Sequence, residues 1–229
     1  TTLRDTSIIN NLVNLAMLHR SNPDSGQYYA SLVVDWAKKI DYKKALGIGY
    51  NVLGTASKMQ GNYPAAIDYF QKSIDIWIAK KDSMGLGATY ANLGEVYRLK
   101  TDYPEALKYF LLSLRIDEAL QYEIGIAYAY NYLGATYQEL GDYTKALENF
   151  QAALEIRLRL GLDAGIAAGY NNIGTIYADE GKFAEALENY KASLAIKEKI
   201  DDRYGMANTY INIGDVYHKQ GDQQEAMKY

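Results

Sequence analysis

The sequence predicts an all-α fold, a right-handed α-solenoid of stacked helix–turn–helix hairpins. Three observations predict it. A glycine recurs every 40 residues without insertion, at Gly54, Gly94, Gly134, Gly174 and Gly214, and a fixed period of this length marks stacked, near-identical units. Around each glycine the packing residues keep helical spacing. Tyr50, Tyr90, Tyr130, Tyr170 and Tyr210 stand four before it, Leu53, Leu93, Leu133, Ile173 and Ile213 one before, and Ser57, Tyr97, Tyr137, Tyr177 and Tyr217 three after. A turn then leads to a second run that places a small residue before a large one. Ala66, Ala106, Ala146, Ala186 and Ala226 are the small residues, and Phe70, Phe110, Phe150 and Tyr190 follow the first four.

The first element of each repeat, helix A, follows from those offsets, which fall on one stripe of an α-helix. The turns read "GNYP", "TDYP", "GDYT", "GKFA" and "GDQQ". Asp102 with Glu105, and Asp222 with Glu225, fit a helix N-cap and its capping-box partner. Pro64 and Pro104 fall in the first turn of the second element, helix B, where a missing N–H costs little. Glycine on A and alanine on B let the two backbones approach, with the aromatics above and below the crossing. A single hairpin cannot bury its stripe, so each packs on the next. The first 40 residues are a worn copy, with Gly26 at the small position, Tyr29 near the aromatic one, and helix A around Leu15 and Ala16. The expected organisation is one array over 1–229, with repeats at about 1–42, 43–82, 83–122, 123–162, 163–202 and 203–229. The last repeat stops at "GDQQEAMKY", which suggests a piece of a longer protein.

Composition narrows the function. The 229 residues are 48% hydrophobic and 23% charged, with a net charge of −4, ordinary values for a chain that buries a continuous core. Mild acidity argues against nucleic acid as partner, because phosphates call for a basic face. Without cysteine there is no disulfide and no thiolate metal site. No run of about 18 apolar residues is present, so no direct insertion in a membrane is expected, and the start, "TTLRDTSIINNL", does not read as a secretory signal. His19 and His218 lie in the first and last repeats, and no phosphate-gripping glycine loop or histidine pair at metal spacing occurs. Catalysis, cofactors and metals are therefore not expected within this stretch.

The order tyrosine, Leu-Gly, tyrosine, alanine, phenylalanine resembles the tetratricopeptide repeat, over nearly the whole chain. Two departures stand out. The repeats have 40 residues rather than 34, which adds roughly 1.5 helical turns to each, and the proline that usually closes helix B is replaced, in the second repeat by Ile78, so that helix B should run on through "IDIWIAKK". Forty-residue arrays with "NLG" resemble two groups. One is the scaffold proteins related to kinesin light chains and spindle-orientation adaptors, which hold extended peptides. The other is a set of bacterial membrane-anchored signalling proteins with a nucleotide cyclase, histidine kinase or DNA-binding output. "SNPDSGQYYASL" and the recurrent "GIA" (Gly125 to Ala127, Gly165 to Ala167) look more like the second. That resemblance implies a sensing or docking region outside the cytoplasm, ahead of an output domain; a cytoplasmic adaptor is the alternative.

The resemblance also implies that helix A lines a concave groove. The helix-A residues facing it are expected at offsets −3, −2, +1, +4 and +5 from the glycine. The candidate peptide-binding residues there are Asn51, Thr55, Lys58, Asn92, Glu95, Arg98, Asn131, Gln138, Glu139, Asn171, Asn172, Thr175, Asp179, Asn212 and Asp215. Asparagine is a mediocre helix former, so its recurrence needs a reason. Its amides could grip the backbone of an extended peptide, or they could bond to the neighbouring helix and set the stacking register. A carboxylate clamp of the kind that receives chaperone tails needs lysine at −3, where this chain has Asn51, Ala91, Asn131, Asn171 and Ile211, and is not supported. Lys58 and Arg98 toward one end, with Glu139, Asp179 and Asp215 toward the other, could orient a peptide or be a solvated surface. The tyrosines, Trp36 and Trp77 are expected to pack. The partner implied is a peptide or protein segment in the groove; the other reading is a structural spacer, with self-association possible through the last helix.

Overall fold

The computed structural model describes residues 3–229 and is all-helical over them. The chain divides into two compact halves, Thr1–Gln121 and Tyr122–Tyr229. The first half contains α1 (Leu3–Leu18), α2 (Pro23–Lys39), α3 (Lys43–Met59), α4 (Tyr63–Lys80), α5 (Ser83–Leu99) and α6 (Tyr103–Ala119). The second contains α7 (Glu123–Glu139), α8 (Tyr143–Leu160), α9 (Asp163–Asp179), α10 (Phe183–Lys199), α11 (Arg203–Lys219) and the short α12 (Gln223–Ala226). Odd-numbered helices are the A elements and even-numbered ones the B elements. As expected for the second repeat, α4 continues to Lys80, past the site where a proline would have closed it.

Packing follows the order of a solenoid. In the first half α3 lies against α2 and α4, and α5 against α4 and α6; in the second, α9 lies against α8 and α10, and α11 against α10. Successive A helices also touch: α1 with α3, α3 with α5, and α9 with α11. The B helices show no comparable contact among the described residues. Within each half the A layer is therefore the tighter one and lies on the inside of the bend.

From the second repeat on, the A-to-B turns close the preceding helix in the same way, and all but the one at Lys182 also cap the next helix with a side chain. In the second repeat Gly61 N–H bonds to Lys58 O at 3.0 Å and Asn62 N–H to Ser57 O at 2.9 Å, the paired bonds of a Schellman closure. Asn62 then caps α4 through its side chain, accepting from Ala65 N–H at 3.3 Å. The same residue thus ends one helix and begins the next. This corrects the capping-box expectation. Asp102 and Asp222 do accept from the N–H groups of Glu105 and Glu225. Their own N–H groups, however, are already given to Tyr97 O and Tyr217 O at 2.9 and 3.0 Å, so the reciprocal half of the box has no donor to accept from. The residue before the cap is left-handed. Gly61, Gly141, Gly181 and Gly221 take φ from 74 to 82° there, while Thr101 does so with a branched side chain at φ 60°.

The repeated glycine has a more specific reason than close backbones. A Cβ at Gly54 would stand 2.6 Å from the Phe70 ring, at Gly94 2.8 Å from Phe110, at Gly134 2.8 Å from Phe150, and at Gly174 2.8 Å from Tyr190. Each aromatic ring of helix B lies flat on the bare glycine of helix A, and all four rings are buried. The tryptophans divide. Trp77 is buried with its indole over Gly47 and Gly85, whereas Trp36, expected to pack, is 37% exposed with Lys39 above its ring.

Candidate functional site

The A helices carry the sequence-predicted residues on their inner face, and the structure joins many of them to one another. In the first half Asn92 Nδ2 donates to Asn51 Oδ1 at 3.2 Å, and Asn51 Nδ2 donates to Thr89 Oγ1 at 2.9 Å. Thr55 turns its hydroxyl back to Asn51 O at 3.0 Å. Lys58 and Glu95 form an ion pair between α3 and α5 with side chains only 12% and 23% exposed. They read as separate groove charges in the sequence, but the structure makes them one neutral pair. Arg98 is half-buried beside them on α5.

In the second half the asparagine ladder repeats. Asn172 Nδ2 donates to Asn131 Oδ1 at 3.1 Å, and Asn212 Nδ2 donates to Asn171 Oδ1 at 3.2 Å. These bonds tie α7 to α9 and α9 to α11. Thr175 donates to Asn171 O at 3.0 Å and accepts the buried Tyr190 hydroxyl at 3.2 Å. Gln138 donates to Asp179 at 3.0 Å. Glu139 and Asp215 are exposed.

Behind this ladder lie two side chains that the sequence reading did not single out. Arg157 on α8 is 6% exposed, and its Nη1 donates to Asn131 Oδ1 at 3.3 Å and Gly165 O at 3.2 Å. Lys197 holds the same position on α10, 7% exposed, donating to Thr209 Oγ1 at 2.6 Å and Gly205 O at 3.2 Å. Burial pushes the pKa of both cations down. One and two repeats earlier this position holds Asp117 and Trp77. Asp117 is also buried, accepts only a long 3.5 Å bond from Ser113, and has its pKa raised by burial.

The sequence reading also stopped short along helix A. Six and ten residues before the repeated glycine, on the same inner stripe, stand Ile124, Tyr128, Ala164, Ala168 and Tyr204. Tyr128 is 57% and Tyr204 81% exposed, and Ile211 at offset −3 is exposed as well. In the first half the matching positions, Lys44 and Ile48, line an open depression of about 320 Å³ together with Asn10, Val13, Asn14 and Tyr42. The signal for these residues was the helical period itself, carried one and two turns further back. Among the described residues no helix is long and apolar enough to cross a membrane, and no three histidine or carboxylate side chains cluster as they would to hold a metal ion.

A tetratricopeptide repeat family model matches residues 41–119, 125–199 and 165–229. The chain belongs to the tetratricopeptide repeat family. Its fold is a non-catalytic scaffold whose members typically bind proteins. No curated protein matches the chain. Among solved structures it is similar to BtubC from P. vanneervenii, 24% identical, with 90% of this chain and 87% of that one covered and a TM-score of 0.77. It is also similar to a STAND signal-transduction ATPase with a tetratricopeptide repeat sensor from Pyrococcus horikoshii, 18% identical with a TM-score of 0.77, covering 97% of this chain but 35% of that one. A third likeness is to a Podosopora anserina protein described as a kinesin light chain with nearly identical repeats, 18% identical, covering 78% and 89%, with a TM-score of 0.65. At these identities the likeness is one of fold.

Proposed function

We propose that this tetratricopeptide array docks an extended peptide or protein segment across the inner face of its A helices, as the sensing region of a larger signalling protein. The observation that carries the reading is the composition of that face. Beside a half-buried amide ladder it leaves Ile124 and Tyr128 exposed on α7 and Tyr204 and Ile211 exposed on α11, with the small Ala164 and Ala168 of α9 between them. Apart from the edge of the Tyr128 ring over Arg157, these side chains stay largely exposed, and exposed aromatics on one surface are the usual anchors of a protein contact. The sensor placement draws on the likeness to the STAND protein, whose repeats are named as its sensor.

The ladder also bears on the competing reading of the asparagines. The amide oxygens of Asn51, Asn131 and Asn171 are matched between helices, which supports a register role beside the docking one; each side chain still has further N–H capacity for a ligand. The test is affinity selection of a synthetic random peptide library on the intact chain. Selected peptides should lose about tenfold or more in affinity for Tyr128→Ala and Tyr204→Ala, the loss typical of an aromatic anchor. Binding that ignores both substitutions but falls with Leu111→Ala or Leu158→Ala on the B helices would overturn the reading.

A further inference from the structure

Two buried cations without a counter-ion lie directly behind the amide ladder of the second half. Arg157 and Lys197 donate only to neutral oxygens, and among the described residues neither has an ion-pair partner. The carboxylates nearest in sequence register are taken by exposed neighbours, Glu123 by Arg159 and Asp163 by Lys199. Asp202 attracts Lys197 only from beyond ion-pair distance, its side chain being held by the Gly205 N–H at 2.9 Å. A charge withdrawn from water in this way is costly unless something answers it.

The cations also decide which way the amides point. A guanidinium can only donate, so Asn131 must turn its oxygen inward to Arg157, and that same oxygen takes Asn172. On α9 the oxygen of Asn171 accepts from Asn212 at 3.2 Å and lies 3.3 Å from Thr209 Oγ1, whose single proton it shares with Gly205 O at 3.0 Å, and Thr209 in turn receives the Lys197 ammonium. The Nδ2 groups of Asn131 and Asn171 therefore make no hydrogen bond within the described protein, and neither is an enclosed atom. The first half behaves differently. There the corresponding B-helix residue is Trp77, and Asn51 spends its Nδ2 inward on Thr89. Beside Asn131 the Tyr128 ring covers Arg157, its centroid 5.9 Å from the guanidinium carbon. Asp179 lies eight residues beyond Asn171 on the same helix, about 12 Å further along the axis, too far to neutralise the site.

We propose that the Asn131 and Asn171 row is a carboxylate site, where an acidic side chain or the free C-terminus of the docked peptide accepts from the outward Nδ2 groups above Arg157 and Lys197. This rests on the docking reading above and narrows its ligand to one with an anionic group beside apolar anchors. The source of specificity is the field of two fixed charges acting through oriented amides.

A synthetic random peptide library with free C-termini, selected in parallel on the intact wild type, Asn131→Asp, Arg157→Met and Lys197→Met, tests this. Asn131→Asp keeps the inward acceptor and pairs Arg157, so the fold should hold while the outward donor at 131 is replaced by a carboxylate oxygen that repels an anion and Asn171 is left as the one outward amide. Arg157→Met replaces a lone buried charge by an apolar side chain of similar length and strands no opposite charge, since Asn131 Oδ1 still accepts from Asn172. The wild-type pool should favour sequences with a carboxylate by about tenfold, the weight of one charge-assisted contact. The three variants should still select the apolar anchors and lose that preference. Resynthesis with Glu→Gln changes or a C-terminal amide then identifies which carboxylate binds. A wild-type pool with apolar anchors and no carboxylate preference, or a preference unchanged in Arg157→Met and Asn131→Asp, overturns the proposal. A pool with no enriched sequence overturns the docking reading itself.

Discussion

Replacing Gly134 by alanine sets two known effects against each other. In a helix interior alanine is favoured over glycine by about 1 kcal/mol. The new Cβ, however, would stand 2.8 Å from Phe150 Cδ1, 2.9 Å from Cε1 and 3.1 Å from Cγ, against an ordinary carbon contact of about 3.5–4.0 Å. The ring must therefore retreat by roughly 0.6–1 Å. It has little room: Phe150 is 1% exposed and packed with Ala146, Leu154, Ile166 and Ile173. Overpacking of this kind costs about 1–3 kcal/mol, so Gly134→Ala should destabilise by about 1 kcal/mol net. In a Phe150→Leu background the ring is gone and the same change should become neutral or stabilising, giving a coupling of about 1–3 kcal/mol. Gly214→Ala is the control. Its Cβ would meet only Ala226 O at 3.5 Å and Tyr229 Cβ at 3.7 Å, and the change should stabilise. Urea unfolding followed by far-UV circular dichroism, read at midpoint and slope because repeat arrays can unfold in steps, measures all four variants. A stabilising Gly134→Ala, or a cycle without coupling, would refute the ring-on-glycine account.

Thr101 holds the left-handed turn position that glycine fills in the sister repeats. Thr101→Gly should raise stability by about 1 kcal/mol, less whatever its hydroxyl bond to Lys100 O contributes; a lower melting temperature would contradict this. Asp117 has a folded pKa raised by burial. The native state then holds its proton above the ordinary carboxylate value, so stability falls as pH rises from there through the folded pKa. Asp117→Asn should accordingly raise stability at pH 7 by on the order of 1 kcal/mol, read as a higher melting temperature, with the gain vanishing below the unfolded carboxylate value. Equal gains at acid and neutral pH would show that burial of the charge is not the cause.

What the sequence made legible was whatever packing must repeat. Gly54 and its four successors, the Ala66 and Phe70 rows and the turn residues recur because every hairpin meets the same neighbour. The ring on each glycine was less visible, since the letter G reports a missing Cβ but not what occupies its place. The capping box failed at Asp102 and Asp222 because three-residue turns make one N–H serve the preceding helix first. Lys58 and Glu95, 37 residues apart, looked independent until the stacking set them side by side. Arg157 and Lys197 were missed because their position reads Trp77, Asp117, Arg157, Lys197 along the chain and so gives no repeating letter. The exposed stripe of Ile124, Tyr128 and Tyr204 varies for the related reason that packing does not dictate it.

The most direct measurement is the binding footprint of a library-selected peptide on the intact chain, by methyl and side-chain amide NMR shifts. The account predicts perturbations confined to the A helices, centred on Ile124 and Ile211 and on the Asn131 and Asn171 amides. A footprint on the outer faces of α8 and α10, with those four residues unmoved, would contradict it.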